Sequence, residues 1–211
     1  MKAVVTLKTS KPSLIINVTY RRIIMPRVKL ANGALRDQIK QELFDSYVQS
    51  AGEAPEGLKS FFTDVQGKAK HLTNMRQNQL LENQVSYLVQ GIGFNSIVSA
   101  AANQKVLPLV VDHSDLKLVI GEKIYWEGAL RTIAGNISQE GGELCQLGSH
   151  DSAKYSLAGQ NSIAIPPLQS FKVEVSTQGM IAADAVLATP AADTQVIYRC
   201  SLLGLLRRPV Q

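Results

Sequence analysis

The chain predicts a mainly β fold, a two-sheet antiparallel sandwich or barrel of about eight strands in one domain, and three observations lead there. Short runs rich in β-branched and aromatic residues recur along most of the 211 residues. Turn signals built on glycine, proline and asparagine separate those runs. No strand–helix alternation spans the chain, which excludes a doubly wound parallel sheet. No repeat of fixed period is present.

The elements follow in order. "AVVTL", "SLIINVTYRRIIM" and "PRVKL" read as two or three strands edged by Pro12 and Pro26. From Asn32 the apolar spacing changes: Leu35, Ile39, Leu43, Tyr47 and Val48 recur as on one face of a helix, with Asn32 as its cap and Gly52 as its stop. A polar, irregular segment with a short helix near Leu58 to Val65 follows, so the expectation is a helical insertion over about residues 32–66.

Beyond Val85 the pattern returns to β. "VSYLVQGIGFNSIVSAA" reads as one long strand bent or bulged at Gly91 and Gly93. "KVLPLVV", then "LKLVIGEKIYWEG" with a turn at "IGEK", then "LRTIAGNI" continue the series. A glycine-rich stretch over about residues 139–162 is long for a loop and expected to be exposed. In "SIAIPPLQSFKVEV", Pro166 and Pro167 cannot donate to a sheet ladder and mark a strand start, after which Phe171, Val173 and Val175 alternate with Lys172 and Glu174 as in a half-buried strand. "TQVIYRCSLLGLLRRPVQ" is the last strand.

Apolar residues make up 45% of the chain and charged residues 18%, which suits a globular protein with much neutral surface for partners. The net charge of +5 is modest. The start "MKAVVTLKTSKPS" has too short an apolar run for a signal peptide, and no stretch reaches the roughly 18 apolar residues of a membrane span. A protein made in a cytoplasm and soluble until it assembles is expected.

Residues suited to chemistry are sparse. Cys145 and Cys200 stand far apart without a CxxC pair or a histidine at metal spacing, so they read as small buried side chains, with a disulfide between them left open. "VVDHSD" sets Asp112, His113, Ser114 and Asp115 side by side, but neighbours in sequence cannot converge on one point as a catalytic triad does. His150 with Asp151 has the same defect, and His71 sits among Lys59, Lys68, Lys70 and Arg76 in a segment read either as a nucleic-acid contact or as a solvated loop. "GIGFNS" lacks the third glycine and the helix of a dinucleotide loop. The lone Trp126 reads as a core anchor. Two basic pairs, Arg21 with Arg22 and Arg207 with Arg208, lie at the edges of apolar strands, where they reach phosphate, lipid head groups or a neighbour's carboxylates, or are simply solvated.

The succession "LTNMRQNQLLENQVSYLVQGIGF", "LKLVIGEKIYWEG", "SIAIPPLQSFKVEV" and "VIYRCSLLGLLRRPVQ" resembles the order of segments in small jelly-roll coat proteins of tailless icosahedral bacteriophages and related archaeal viruses. The resemblance covers most of the chain after Leu72 and is one of pattern. It implies a single jelly-roll domain over residues 1–211 whose first strands close the sandwich. The implied function is that of a structural, non-enzymatic capsid subunit, located in the virion after assembly in the host cytoplasm. Its partners would be copies of itself and other virion proteins, through sheet edges, loops and termini, with Arg21, Arg22, Arg207 and Arg208 available to an internal membrane, the genome or a neighbouring subunit. No cofactor, metal or small-molecule substrate is implied. The long helical segment departs from such coat proteins and points instead to a minor or vertex component. A β-sandwich module binding carbohydrate or protein through the loop at 139–162 is the competing expectation, and a dispersed enzyme site at Asp112, His113 and His150 the weakest one.

Overall fold

A computed structural model describes residues 3–5, 16–18, 27–29, 35–98, 106–133, 154–157 and 161–209. A two-stranded antiparallel ribbon joins β1 (Ala3–Val5) to β2 (Ile16–Val18). The remaining strands form two antiparallel sheets. In chain order they are β3 (Arg27–Lys29), β4 (Leu35–Ser50), β5 (Gly57–Phe61), β6 (Ser86–Val98), β7 (Ser114–Ile120), β8 (Lys123–Ala129), β9 (Lys154–Ser156), β10 (Ile163–Ile165), β11 (Phe171–Thr177) and β12 (Gln195–Pro209). The first sheet runs β10-β6-β12-β4-β3, with β9 also paired to β6, and the second runs β5-β11-β7-β8.

The two sheets pack face to face as a β-sandwich. Alternation sets the inner faces: Val196, Tyr198, Cys200 and Leu202 of β12 are buried, as are Phe171, Val173 and Val175 of β11. They share one core with Ile92 and Phe94 of β6 and Leu116 and Leu118 of β7, and Phe61 meets Phe94 edge to face across the sheets at 6.2 Å. Each such side chain contributes about 1.5–3 kcal/mol over an exposed one. The final strand and "FKVEV" thus form where the sequence places them. "IGEK" closes the β7–β8 hairpin, with Gly121 at φ 61 where a side chain would be strained. Pro166 and Pro167 follow β10 and lie where the chain crosses to the other sheet.

The expected helical insertion at 32–66 is corrected: residues 35–50 are one long strand, and the stretch expected as a short helix near Leu58 to Val65 contains β5. The spacing Leu35, Ile39, Leu43, Tyr47 is even, so it lines one face of a strand as well as one face of a helix. The intervening positions Asp37, Gln41, Asp45 and Gln49 hid the alternation because they are polar. β4 is held against β12 along its whole length, from Ser50 opposite Gln195 to Arg36 opposite Pro209.

"KVLPLVV" is corrected in the opposite sense. It forms helix α1 (Val106–Asp112), with Pro108 in the first turn, where a missing N–H costs nothing. Val106, Val110 and Val111 face the core. "LRTIAGNI" contributes a 3-10 turn at Leu130–Thr132, and its remainder lies outside the described residues after Ile133. A second helix, α2 (Ala182–Leu187), fills the connection from β11 to β12. In β6 the bulge falls at Gln90, between the pairs Leu203 with Gly91 and Gly204 with Val89. There Gly204 lies so close to the Leu88 carbonyl that a side chain would not fit.

Asp45 is fully buried on the inner face of β4. Its carboxylate accepts hydrogen bonds from the Phe62 amide at 2.7 Å and from Lys68 Nζ at 2.9 and 3.0 Å. Lys68 also donates to the Ser46 carbonyl at 2.9 Å. Phe62 has a left-handed backbone, φ 69, which a bulky residue adopts only when its surroundings enforce it. Asp45 on its N–H and the Gln79 amide on its carbonyl, 2.7 Å, supply that enforcement. Removing one member of a buried pair leaves the other uncompensated. Asp45→Ala is therefore expected to lower the unfolding free energy by about 3–5 kcal/mol, read from urea denaturation, while Asp64→Ala at an exposed position shifts it by less than about 0.5 kcal/mol.

Tyr87 of β6 is buried, and its hydroxyl, with one proton to share, lies 2.5 and 2.7 Å from the Gln41 and Leu202 carbonyls of β4 and β12. Burial pushes its ionisation well above the ordinary 10.0, and burial does the same to Tyr198. The folded chain then keeps these protons at pH values where the unfolded chain releases them. Stability is full below pH 10 and falls above it, each phenol adding about 1.4 kcal/mol per pH unit to the slope. Tyr87→Phe is expected to make the fall between pH 10 and 11.5 shallower by that amount in denaturation series at several pH values.

Candidate assembly surfaces

The cluster in "VVDHSD" separates in three dimensions. Asp112 ends α1 and accepts from Arg131 Nη1 at 2.8 Å. His113 turns toward Asp184 of α2, 3.8 Å away. Ser114 begins β7 and points inward, its hydroxyl 2.7 Å from Thr177 Oγ1 and donating to the Val110 carbonyl at 2.5 Å. Three side chains aimed at three different partners make no common reaction centre. No group of three or more His, Cys, Asp or Glu able to hold a metal occurs among the described residues. His150 lies outside them, as does Cys145.

Cys200 is a free, fully buried thiol on the inner face of β12, and burial raises its pKa above the ordinary value, assisted by Asp45 and Glu42. Thiol reactivity needs the thiolate. In a Cys145→Ser background, Cys200 is therefore expected to stay unmodified by an aromatic disulfide reagent in native buffer and to react in full in denaturant, followed by absorbance.

The basic residues divide by partner. Lys59 is bound to Glu53 and to the Tyr47 hydroxyl, each at 2.8 Å, Lys68 to Asp45, and Arg76 to Glu82 at 3.0 Å. Lys70 and His71 are exposed, and the His71 carbonyl accepts from Arg199, whose guanidinium lies 4.6 Å over the Phe44 ring. Most of the segment's positive charge is thus spent within the fold, which favours the solvated-loop reading over a nucleic-acid contact.

Arg21 and Arg22 lie outside the described residues. Arg207 and Arg208 end β12, opposite Gln38 and Asp37 of β4. As strand neighbours they point to opposite faces, so the pair is no single patch. Arg207 shares the outer face with Leu203 and Leu205, and its Nε is buried without a hydrogen-bond partner. Arg208 lines a groove of about 560 Å³ between the end of β12 and the loop from Asn74 to Val85, together with Gln41, Met75 and Glu82.

The core is closely packed at one end among the described residues. At the Tyr198 end, Tyr47 and Phe94 stack on either side of Tyr198 with ring centroids 6.5 and 6.1 Å away, and Tyr198 donates to Gln49 at 2.7 Å. The cavity they line holds about 20 Å³, room for about one water.

The outer face of the second sheet is a lattice of charges: Lys117 pairs with Glu127 at 2.8 Å and Lys172 with Glu174 at 2.5 Å. Large apolar side chains are exposed at Leu58 on the outer face of β5 and at the ends of that sheet, Ile181, Val186 and Leu187 around α2 and Leu168, Ile124 and Tyr125 near the β7–β8 turn. Sequence reasoning missed them. The segment "IAADAVLATPAAD" carries an apolar composition as its only signal, and composition does not tell which side chains stay uncovered.

Comparison with protein families, curated proteins and solved structures finds no match to this chain. Among the described residues no helix is long and apolar enough to cross a membrane.

Proposed function

We propose that this chain is a jelly-roll subunit of an icosahedral viral capsid whose activity is self-association. The observation that carries the reading is the strand order. Leaving aside the short strands β3 and β9 and taking β4, β5, β6, β7, β8, β10, β11 and β12 as first to eighth, one sheet reads first, eighth, third, sixth and the other second, seventh, fourth, fifth. That order, in which the chain passes repeatedly between the two sheets, supports a jelly roll of the kind found in capsid, lectin and cupin domains.

Two features favour the capsid member of that set. Leu116, Leu118, Val173 and Leu202 fill the inner faces among the described residues, and the cavity at the Tyr198 end holds only about 20 Å³, too little for a ligand there. The long helix that set the chain apart from small coat proteins, and pointed to a minor or vertex component, is the strand β4. Fold alone does not assign function; the filled interior directs attention to the rims and ends, where copies of a shell subunit meet. Arg207 and Arg208, at the last turn of that rim, are then contacts to a neighbouring subunit, the genome or an internal membrane.

Light scattering of the purified protein over a concentration series at physiological salt is expected to show masses far above 22.9 kDa, with closed or sheet-like particles in electron micrographs. A monodisperse monomer throughout would overturn the reading and return weight to a binding module acting through the loop at 139–162.

A further inference from the structure

We propose that the two ends of the second sheet are complementary docking surfaces through which copies of this chain join head to tail. The inference rests on the capsid-subunit reading and names the surfaces it uses. At one end, α2 contains no buried residue, and Ile181, Val186 and Leu187 are 64%, 74% and 58% exposed. At the other end, Leu168, Ile124 and Tyr125 are 62%, 47% and 46% exposed. Single exposed apolar side chains are ordinary. Three on and beside one short helix, matched by three around one hairpin, mark surfaces meant to be covered.

Register fixes where the two groups lie. Phe171 pairs with Ile120, and the Gly121 amide donates to the Ser170 carbonyl at 2.7 Å, so Leu168 sits by the β7–β8 turn. Thr177 pairs with Ser114 and with Gly57, and the Gln178 amide donates to the His113 carbonyl at 2.9 Å, so α2 sits at the far end. The length of β11, about 20 Å, separates them. Neither group can cover the other within one chain. One end of one copy against the opposite end of the next covers both, which is a heterologous contact that closes into rings or extends as a filament.

Charge agrees with that pairing. Asp184 on α2 places a carboxylate among the apolar side chains of one end, 3.8 Å from His113. Lys123 lies 5.3 Å over the Tyr125 ring at the other end and makes no ion pair among the described residues. The β8 edge is a poorer route to self-association, because the bulge opposite Leu118 and Val119 interrupts its ladder.

The test uses two variants of the full chain, Val186→Glu with Leu187→Glu, and Tyr125→Ser with Leu168→Glu, in sedimentation velocity. Each alone is expected to remain monomeric at concentrations at least about 100-fold above those at which the wild type assembles, with an unchanged thermal midpoint. Each variant keeps one intact end, so mixing them is expected to yield a one-to-one dimer and nothing larger. Should either double variant unfold the chain, the corresponding alanine variant gives the same comparison with a smaller shift. Assembly by either folded variant alone, or a mixture that stays monomeric, overturns head-to-tail docking while leaving the capsid reading intact when the wild type assembles. A monomeric wild type overturns both.

Discussion

The carboxylate of Asp45 is the constraint on which the rest of the sandwich depends. A charge on the core side of a strand is tolerated only when donors surround it, and here Lys68 and the Phe62 amide do so. Those donors belong to the connection between β5 and β6. Satisfying Asp45 therefore fixes where that connection leaves β5, turns the chain at Phe62 through a left-handed conformation, and sets the Phe62 ring at a tilt against Phe171, 5.4 Å between centroids. From there the Gln79 carbonyl accepts from the Phe171 amide at 2.8 Å, while Asn74 binds the Phe44 amide at 2.9 Å and the Glu42 carbonyl at 2.7 Å. One connection is thereby tied to both sheets, β4 on one side and β11 on the other.

The same residue explains what could and could not be read from the sequence. β11 and the inner half of β12 announce themselves because every second side chain is apolar and buried. β4 does not, since Asp45 and Gln49 occupy core-facing positions where alternation would demand leucine or valine. With those positions polar, the surviving apolar residues stand four apart, a spacing that a helix and a strand satisfy equally. Their polarity is compensated by groups distant in sequence, Lys68 for Asp45 and Tyr198 for Gln49, and no local pattern carries that information. α1 fails in the reverse direction: valine and leucine suggest a strand, and only the proline in its first turn is a helix signal.

The candidate surfaces were legible to a smaller degree. The arginines at 207 and 208 are visible as a pair, yet strand geometry sends them to opposite faces, so adjacency in sequence misstates the patch. The exposed apolar groups at α2 and at the β7–β8 turn leave almost no trace in composition, because burial is decided by what the rest of the chain covers. In "VVDHSD" adjacency in sequence likewise misstates the arrangement: Asp112 is drawn to Arg131, His113 to α2 and Ser114 to the core.

Polarity is distributed over the second sheet in a way that separates its face from its ends. Lys117, Glu127, Lys172 and Glu174 neutralise one another across the outer face, and burying such a face against a partner would strip water from all four charges for little return. The ends carry apolar side chains whose burial releases water at no comparable cost. Desolvation therefore opposes stacking of one subunit's face on another and favours contact end to end. The charged face is thereby kept toward water, and the apolar part of the sheet's surface is left at its ends.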